Sequence, residues 1–390
     1  MNIREDFLTY NKPCFGQEEL DGVVDSLQSG WWSKGPKVLE FEKRFAEYVG
    51  VKHAIALNSC TAGLFLGLQA HGVGPGDEVI TTPMTFCATA NTIVHCGATP
   101  VFADVDPNTG LIDPKEIEKK ITPRTKGIVP VHYAGRACDM DAINAIAKKH
   151  GLFVMEDAAH AVYTTYENGK LVGNCDNITS FSLYATKNLA TGEGGMITTN
   201  DDALYERLQI LSLHGMSKGA WNRFSAAGSW KYDVVEAGFK YNMTDLAASL
   251  GLAQMDRLEE MQKKREEYAA VYNEAFKDVK GITVLPDGPW GRNAWHLYMI
   301  RIERNGLRIS RNEFIRLLNQ EYKIGTSVHY TPVHLHPFYR INYGTRQGDF
   351  PCAEELYFGM ISIPLNPSLT REDVDYVCEA VREIAARFSK

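Results

Sequence analysis

The chain has 390 residues, of which 44% are hydrophobic and 23% are charged, and its formal net charge is −7. This mixture is ordinary for a globular protein, and the length suits two domains of about 150 to 200 residues each. The negative balance argues against binding nucleic acid through a broad basic surface, so we predict no nucleic-acid partner.

The chain lacks the patterns of secretion, membrane insertion and disulfide formation. Residues 1–12 are polar, and no apolar run reaches the roughly 18 residues that span a bilayer. The eight cysteines are scattered, and no pair has the CxxC spacing typical of zinc ribbons. We therefore predict no membrane association and a cytoplasmic location with reduced thiols.

The first two thirds of the chain alternate β-rich segments with helix-like segments. The β-rich segments are HAIALNS (53–59), EVITTP (78–83), PVFADV (100–105), KGIVPVH (126–132), LFVMEDAA (152–159), ITSFSLY (178–184) and GMITT (195–199). Residues 61–72, after the first, and 140–151, before the fifth, predict helices. This alternation predicts an α/β core with a mainly parallel sheet, where ligands bind at the carboxyl ends of the strands.

The pattern changes in the last third of the chain. Residues 244–276 predict one long amphipathic helix that starts at a Thr/Asp pair. The Pro- and Gly-rich stretch 284–293 predicts a connection, and the remainder, with a C-terminal helix over about 371–388, predicts a smaller α+β domain. We therefore predict a large α/β domain over 1–245, with an N-terminal helical segment, followed by the long helix and the small domain over 246–390.

The strand LFVMEDAA brings two carboxylates, Glu156 and Asp157, to its carboxyl end. A carboxylate is costly to bury unless it meets a cation or strong hydrogen-bond donors. Asp157 therefore fits either as the partner of a positive group, such as the protonated ring nitrogen of a cofactor, or as a helix cap or internal salt bridge. The strand alone does not choose between these interpretations.

The segment NSCTAG (58–63) marks the change from a strand to a helix through small residues. Backbone N–H groups at such a helix start suit an anion such as phosphate. Taken by itself, an ordinary N-cap by Ser59 or Thr61 is the simpler interpretation. The segment is not a P-loop, because it lacks the GxxxxGK[ST] pattern.

The stretch SLYATKNLATGEGG (182–195) places Lys187 among small and hydroxylated residues, with no other charge before Glu193. A lysine at a strand end without acidic neighbours is partly desolvated, which lowers its pKa and favours a neutral, nucleophilic amine. A surface lysine is the default, but the glycine-rich exit favours a Schiff-base role. An anion site, the acid Asp157 and this lysine together predict a site for pyridoxal 5′-phosphate (PLP).

Six runs of sequence, in order along the chain, resemble the DegT/DnrJ/EryC1/StrS sugar aminotransferases. The runs are SGWWSKGPKVLEFEKRFAEYVG, DEVITTPMTFCATAN, VPVHYAG, EDAAHA, SFSLYATKNLATGEGG and GFKYNMTD. The resemblance covers about residues 10–385 and is nearest to enzymes that aminate C4 of UDP-linked 4-keto sugars, in the 4-amino-4-deoxy-arabinose and 4-amino-4,6-dideoxyhexose branches. It implies the type I PLP-dependent aminotransferase fold, with a smaller C-terminal domain, and a homodimer with shared active sites.

The resemblance also implies roles for individual residues. Lys187 binds the cofactor covalently, and Asp157 holds its ring nitrogen. The other implied contacts are the backbone of Cys60 and Thr61 and the hydroxyl of Ser182 at the phosphate, Phe86 stacked on the ring, His160 near the phenolic oxygen, and Asn242 at the phosphate of the neighbouring subunit. Relatives often have Gly or Ala in place of Cys60, and contacts through the backbone tolerate this change. Taken by itself, Phe86 is typical of a core residue.

The segment 213–233 contains candidate contacts for the substrate. A nucleotide diphosphate requires cations, and Lys218, Trp221 and Arg223 provide charge and aromatic surface there. The same segment fits equally well as a dimer contact. The resemblance implies that the reactants are glutamate, which yields 2-oxoglutarate, and a nucleotide-linked keto sugar.

A run of histidines, VHYTPVHLHP, contains His329, His334 and His336. Three histidines invite a metal site, but suitably spaced carboxylates are missing from the run and its prolines disfavour a rigid cage. We therefore predict no metal and assign His329 to sugar binding or to a structural role.

Four other functions compete with a 4-keto-sugar aminotransferase. They are an aminotransferase for 3-keto dTDP-sugars, a PLP-dependent sugar dehydratase, a PLP-binding regulatory relative without turnover, and a metal hydrolase that uses Glu156, His160 and the histidine run. Dehydratases of this type carry histidine at the lysine position, so Lys187 argues against them. We predict an enzyme of amino-sugar biosynthesis for cell-surface polysaccharide or lipopolysaccharide.

Overall fold

A computed structural model describes residues 3–217 and 232–390 of the chain. In these ranges the larger sheet has seven strands in the order β1-β7-β6-β5-β4-β2-β3. The strands are β1 His53–Leu57, β2 Glu78–Thr81, β3 Thr99–Phe102, β4 Thr125–Val129, β5 Phe153–Asp157, β6 Ile178–Ser182 and β7 Gly195–Thr199. The pairs among β2 to β6 are parallel, and β7 runs antiparallel to β1 and β6. The predicted α/β fold with a mainly parallel sheet is confirmed.

Helices pack against this sheet, and strands β2, β6 and β7 are buried along their whole length. The helices are α1 Gln17–Ser29, α2 Pro36–Val49, α3 Cys60–Ala70, α4 Ala88–His95, α5 Pro114–Lys120, α6 Met140–His150 and α7 Asp202–Ser212. Helices α3 and α6 lie where the sequence predicts them. Asp139 caps the start of α6, and Gly151 ends it in the left-handed conformation (φ 65°) that glycine adopts easily.

The loop 183–194 joins β6 to β7 and carries Lys187. This connection has no crossover helix, so β7 returns antiparallel to β6. Within the loop, the backbone N–H groups of Ala185, Lys187 and Thr191 donate to carbonyl oxygens at 2.8–2.9 Å. The prediction that Lys187 lies at a strand end is therefore wrong. Lys187 follows β6 in a loop whose backbone is held by these hydrogen bonds.

The C-terminal part contains a three-stranded antiparallel sheet in the order β10-β9-β8. Its strands are β8 Ile282–Val284, β9 Tyr298–Ile302 and β10 Met360–Ile363, and the helices from residue 245 onward are α8 Asp245–Asp256, α9 Leu258–Phe276, α10 Arg311–Gln320, α11 Pro337–Tyr343, α12 Pro351–Gly359 and α13 Arg371–Arg387. Thr370 caps α13 by accepting from the N–H of Asp373 (3.1 Å), which starts the C-terminal helix that the sequence predicts. The predicted domain boundary near residue 245 stays a prediction.

The prediction of one long helix over 244–276 is wrong. Thr244 caps the start of α8 as expected, but the helix breaks at Arg257 before α9 begins. Helix α8 packs against α1 and α2, whereas α9 packs against α13 and β8, so the break lets each part follow its own neighbours. The guanidinium of Arg257 donates to the buried carboxylate of Glu19 in α1 at 3.0 Å, which holds the break in place.

The helices that the structure describes are those of residues 3–217 and 232–390. None of them combines the length and the apolar character that crossing a lipid bilayer demands. All eight cysteines carry free thiols.

Candidate active site

A cavity of about 580 Å³ lies at the carboxyl ends of β5 and β6 and includes residues from both halves of the chain. It brings together eight of the residues singled out from the sequence: Cys60, Thr61, Phe86, Asp157, His160, Ser182, Lys187 and His329. It also contains Tyr10, Thr89, His296 and Tyr330, which sequence reasoning missed. The carboxyl edge of the sheet is therefore the place where the candidate chemistry converges, as expected for an open α/β sheet.

The ε-amine of Lys187 faces this cavity from the β6–β7 loop. Its Nζ lies 3.5 Å from Nε2 of His296. Burial lowers the pKa of Lys187 to about 8, because an ammonium group loses more than a neutral amine when it leaves water. At neutral pH a larger fraction of this amine is unprotonated than in a lysine exposed to solvent.

Asp157 ends β5 and is buried. One carboxylate oxygen accepts from the hydroxyl of Thr89 (2.7 Å), and the other accepts from the N–H of Ala159 (3.0 Å). Burial raises the pKa of Asp157, and these two hydrogen bonds offset only part of that effect. The carboxylate thus faces a cavity in which a further positive group would stabilise it. Thr89 sits in α4, and no local pattern marked it as the partner of a strand 68 residues later.

The start of α3 forms one wall of the cavity. The hydroxyl of Ser59 accepts from the N–H of Ala62 (3.0 Å), so the N-cap interpretation of NSCTAG is confirmed. The N–H groups of Cys60 and Thr61 belong to the first turn, which has no preceding helical carbonyl to receive them. The helix start also carries a partial positive charge, so the cap and an anion site are compatible.

Gly195, the first residue of β7, lies where another part of the backbone approaches closely. A Cβ on Gly195 would lie only 2.5 Å from the backbone nitrogen of Cys60 and 2.3 Å from the carbonyl carbon of Ser59. Gly195 is also paired with Ser182 in the sheet. Its missing side chain therefore lets β7 pass beside the start of α3.

Aromatic side chains line the mouth and the inner wall of the cavity. Phe86 is 58% exposed, so the interpretation of this residue as part of the core is wrong. Its ring centroid lies 5.9 Å from that of Tyr330. The hydroxyl of Tyr330 lies 2.9 Å from Nε2 of His160, whose Nδ1 accepts from the N–H of Ala134 (3.2 Å). Burial lowers the pKa of His160 well below its usual value, so the ring is neutral.

The three histidines of the predicted run separate in the fold. His329 lines the cavity, its Nδ1 lies 2.8 Å from the hydroxyl of Ser362, and burial lowers its pKa to about 4. His334 is buried away from the cavity against Glu354 (2.9 Å). Within residues 3–217 and 232–390 no group of three histidine, cysteine or acidic side chains is arranged to hold a metal ion.

Asn242 is not among the residues that line the described cavity. Asn242 pairs with Leu57 through the backbone, and its side-chain amide donates to the carbonyl of Met243 (3.0 Å). Its implied contact with a neighbouring subunit stays a prediction. Trp221 and Arg223, together with Lys218, lie outside the described residues.

The family of the chain follows from a match that extends over nearly its whole length. The DegT/DnrJ/EryC1/StrS aminotransferase family model matches residues 13–382. The chain belongs to this family.

Individual relatives of this DegT/DnrJ/EryC1/StrS chain are similar over their full lengths. It is 56% identical over 381 residues to the spore coat polysaccharide biosynthesis protein SpsC of Bacillus subtilis (strain 168), with 98% of each chain covered. Spr1654 from Streptococcus pneumoniae, assigned as a sugar aminotransferase and solved in a PLP form, is 35% identical with a TM-score of 0.89, covering 98% and 99% of the two chains. Helicobacter pylori PseC, an aminotransferase of pseudoaminic acid biosynthesis, is 32% identical with a TM-score of 0.90, covering 98% and 100%.

The protein is therefore an enzyme, a PLP-dependent aminotransferase. The residues of its cavity fit the cofactor on three counts. A lysine amine of lowered pKa is available for the aldehyde, a buried carboxylate has room for a cationic partner, and a helix start suits a phosphate.

Proposed function

We propose that this aminotransferase transfers the amino group of glutamate to the C4 keto carbon of a UDP-linked sugar. The observation that carries the catalytic part is the lysine amine of lowered pKa that shares one cavity with the buried Asp157. The sugar part is supported by the relatives, since SpsC is named for spore coat polysaccharide biosynthesis and PseC for pseudoaminic acid biosynthesis. The product would serve amino-sugar synthesis for cell-surface polysaccharide or lipopolysaccharide.

In this proposal the residues singled out from the sequence have defined tasks. Lys187 binds the cofactor aldehyde, and Asp157 keeps the ring nitrogen protonated. The remaining contacts are the N–H groups of Cys60 and Thr61 with the Ser182 hydroxyl at the phosphate, Phe86 on the ring face, His160 near the phenolic oxygen, His329 near the sugar, and Asn242 at the phosphate bound by a second copy. When bound, PLP supplies an electron sink for the charge left by removal of the donor's α-proton.

The protein groups supply the proton transfers. Once the amino donor has displaced it, the Lys187 amine takes the proton from the donor α-carbon and later returns a proton to the sugar carbon. Its pKa of about 8 suits both steps near neutral pH, because neither the protonated nor the neutral form is rare. Tyr330 and His296 add to the lining of the cavity beside His160 and Lys187.

We also propose that the enzyme is a homodimer with shared active sites. Helix α1 exposes Leu20, Val24 and Leu27, which are spaced to form one apolar stripe, and Trp31 and Trp32 follow it with 45% and 58% exposure. A second copy is the proposed cover for this stripe. Light scattering of the purified protein tests the proposal, and a monomer at all concentrations would contradict it. The cytoplasmic location stays a prediction.

Glu156, the acid required by the metal-hydrolase alternative, does not line the cavity. Glu156 follows Met155 in β5 and faces the side of the sheet opposite to Asp157, because successive residues of a strand alternate. Its carboxylate receives hydrogen bonds from His132, Tyr166 and Asn177, and it does not line the cavity.

A panel of UDP- and dTDP-linked 3-keto and 4-keto sugars with ¹⁵N-glutamate tests the substrate proposal. We expect ¹⁵N at C4 of a UDP-linked sugar, detected by NMR, together with one equivalent of 2-oxoglutarate. The Lys187→Ala variant is the blank for each sugar. Amination only of a 3-keto dTDP-sugar would overturn the assignment of carbon and nucleotide, and label from another donor alone would overturn the assignment of glutamate.

A further inference from the structure

His296 is the side chain that contacts the amine of Lys187 from the C-terminal half of the chain. It is 4% exposed and lies between Trp295 and β9, and its Nε2 is 3.5 Å from Nζ of Lys187. Neither the sequence patterns nor the cofactor contacts proposed above give it a role. The effect of this contact depends on which ring nitrogen of His296 carries the proton.

The neighbouring hydrogen bonds determine the tautomer of His296. The side-chain amide of Asn188 donates from Nδ2 to the carbonyl of Ala294 at 2.7 Å. A carbonyl only accepts, so Nδ2 must face Ala294 and Oδ1 must face His296. Nδ1 of His296 lies 3.0 Å from this Oδ1 and therefore carries the ring proton. Nε2 is left with a lone pair directed at Lys187.

A second neutral histidine packs beside the first. The ring centroids of His160 and His296 lie 4.3 Å apart, and Ala134 donates to Nδ1 of His160. The groups with the largest electrostatic effect on His296 are His160, Lys187, Arg265 and His329, and each of them lowers its pKa. Burial and this surrounding positive charge lower the pKa of His296 well below its usual value, so its lone pair persists at neutral pH.

We propose that His296 is a positioning residue that holds the Lys187 amine through its unprotonated Nε2, and that Asn188 is the residue that fixes this tautomer. This inference rests on the proposed role of Lys187 in the reaction. An acceptor at this position aligns an N–H of the lysine when the amine is free of the cofactor. Asn188 directly follows Lys187 in the chain, so one loop supplies both the amine and the group that orders its acceptor.

The cofactor-free, full-length protein allows a test that involves neither PLP nor sugar. Trace labelling with acetic anhydride at a series of pH values, read by mass spectrometry of the peptide that contains Lys187, gives the pKa of its amine. We expect half-maximal reactivity near pH 8 in the wild type. An acceptor stabilises the ammonium form, so His296→Phe should lower this pKa by about one unit and raise labelling at pH 6.5 by roughly tenfold.

Three further variants separate positioning from a general loss of packing. Asn188→Leu keeps the imidazole but frees its tautomer, and it should shift the lysine pKa in the same direction as His296→Phe. Asn188→Asp keeps an acceptor for Nδ1–H but loses the donor to the carbonyl of Ala294, so it should leave the pKa of Lys187 closer to the wild-type value than Asn188→Leu does. His334→Phe removes another buried histidine, which lies outside the cavity, and should leave the pKa of Lys187 unchanged.

An unchanged Lys187 pKa in both His296→Phe and Asn188→Leu would overturn the proposal. If these variants do not fold, neutron diffraction of the wild-type protein decides, because hydrogen on Nε2 instead of Nδ1 of His296 would also overturn it. In the loaded enzyme His296→Phe should lower kcat by about tenfold with little change in KM. Borohydride should still couple the cofactor to Lys187, and failure of that coupling in the wild type would refute the role of Lys187, not its contact with His296.

Discussion

The two faces of strand β5 hold consecutive carboxylates in opposite surroundings. On one face, Glu156 accepts hydrogen bonds from His132, Tyr166 and Asn177, each at 2.7 Å. Nδ1 of His132 accepts from the N–H of Cys138, so its Nε2 carries the proton that it donates to Glu156. Burial by itself raises the pKa of this glutamate, but the hydrogen bonds outweigh burial and hold it below its usual value.

On the other face, the Asp157 carboxylate accepts, from the part of the chain that the structure describes, only the hydroxyl of Thr89 and the N–H of Ala159, and burial raises its pKa. The first carboxylate is fully satisfied by its own fold, whereas the second has capacity left for a positive group in the cavity. Equal burial and adjacent positions in a strand therefore do not give two carboxylates the same role. Satisfied polar groups stabilise the fold, and an under-satisfied group in a cavity marks a candidate site of function.

Among the substitutions of cavity residues, removal of the Lys187 amine should have the largest effect on turnover. Lys187→Ala removes the amine that we propose as both the cofactor-binding group and the proton carrier, so we expect turnover to fall at least about 10⁴-fold. Borohydride treatment followed by mass spectrometry should detect no cofactor adduct at residue 187. Lys126→Ala, which removes a surface lysine near Asp77, serves as the control with normal turnover. Normal turnover of Lys187→Ala would refute the proposed mechanism.

The next largest fall in turnover is expected for Asp157→Asn. The amide keeps the size of the carboxylate but cannot hold a positive charge on the ring nitrogen, so kcat should fall by about 10² to 10³. Stability should be unchanged or higher, because a buried charge is removed. Steady-state kinetics and chemical denaturation measure the two effects. A loss of stability with normal kcat would reverse the contrast between the two faces of β5.

Glu156→Gln should produce the opposite pattern. The amide has one acceptor oxygen where the carboxylate has two, so some of the buried donors lose their partner. We expect the free energy of unfolding to fall by about 2–4 kcal/mol. The kcat of the folded fraction should stay within a factor of about three, because Glu156 does not line the cavity. A large fall in kcat without a fall in stability would place this carboxylate in the catalytic machinery.

Tyr166→Phe should give the smallest change. It removes one donor to Glu156 and the acceptor for the N–H of Gly173, but leaves the carboxylate with its other partners. The expected loss in the free energy of unfolding is about 1–2 kcal/mol, measured by denaturation in urea. A loss equal to that of Glu156→Gln would show that Tyr166, not the set of donors, carries the stability of this face.

The fold was largely predictable because its signals are local. Short apolar segments separated by amphipathic stretches predicted the strands of the large sheet, and a Thr/Asp pair predicted the start of α8. The break at Arg257 was not predictable in this way. The residues around it carry no glycine or proline, and the contact that Arg257 makes there is with Glu19, which lies more than two hundred residues earlier.

The candidate site was predictable where a residue differed from its local surroundings. Lys187 stands alone among neutral residues, and Asp157 ends an apolar strand, so both were visible in the sequence. Thr89 and Tyr330 lie in runs that were singled out for other residues, and His296 lies in a segment that no motif marks. Only their distances to those two residues and to His160 distinguish them. Phe86 illustrates the same limit, because hydrophobicity alone suggested the core whereas the fold leaves it exposed.

The sequence by itself determined the α/β class, the family resemblance and the candidate pair Asp157 and Lys187, because each of these depends on neighbours in the chain or on the order of motifs. Only the tertiary structure decided which carboxylate of β5 faces the cavity, which histidine contacts Lys187 and which of its nitrogens is free. Those properties depend on burial and on hydrogen bonds between segments far apart in the chain. Such contacts set the protonation state of a group without leaving a pattern in the residues beside it.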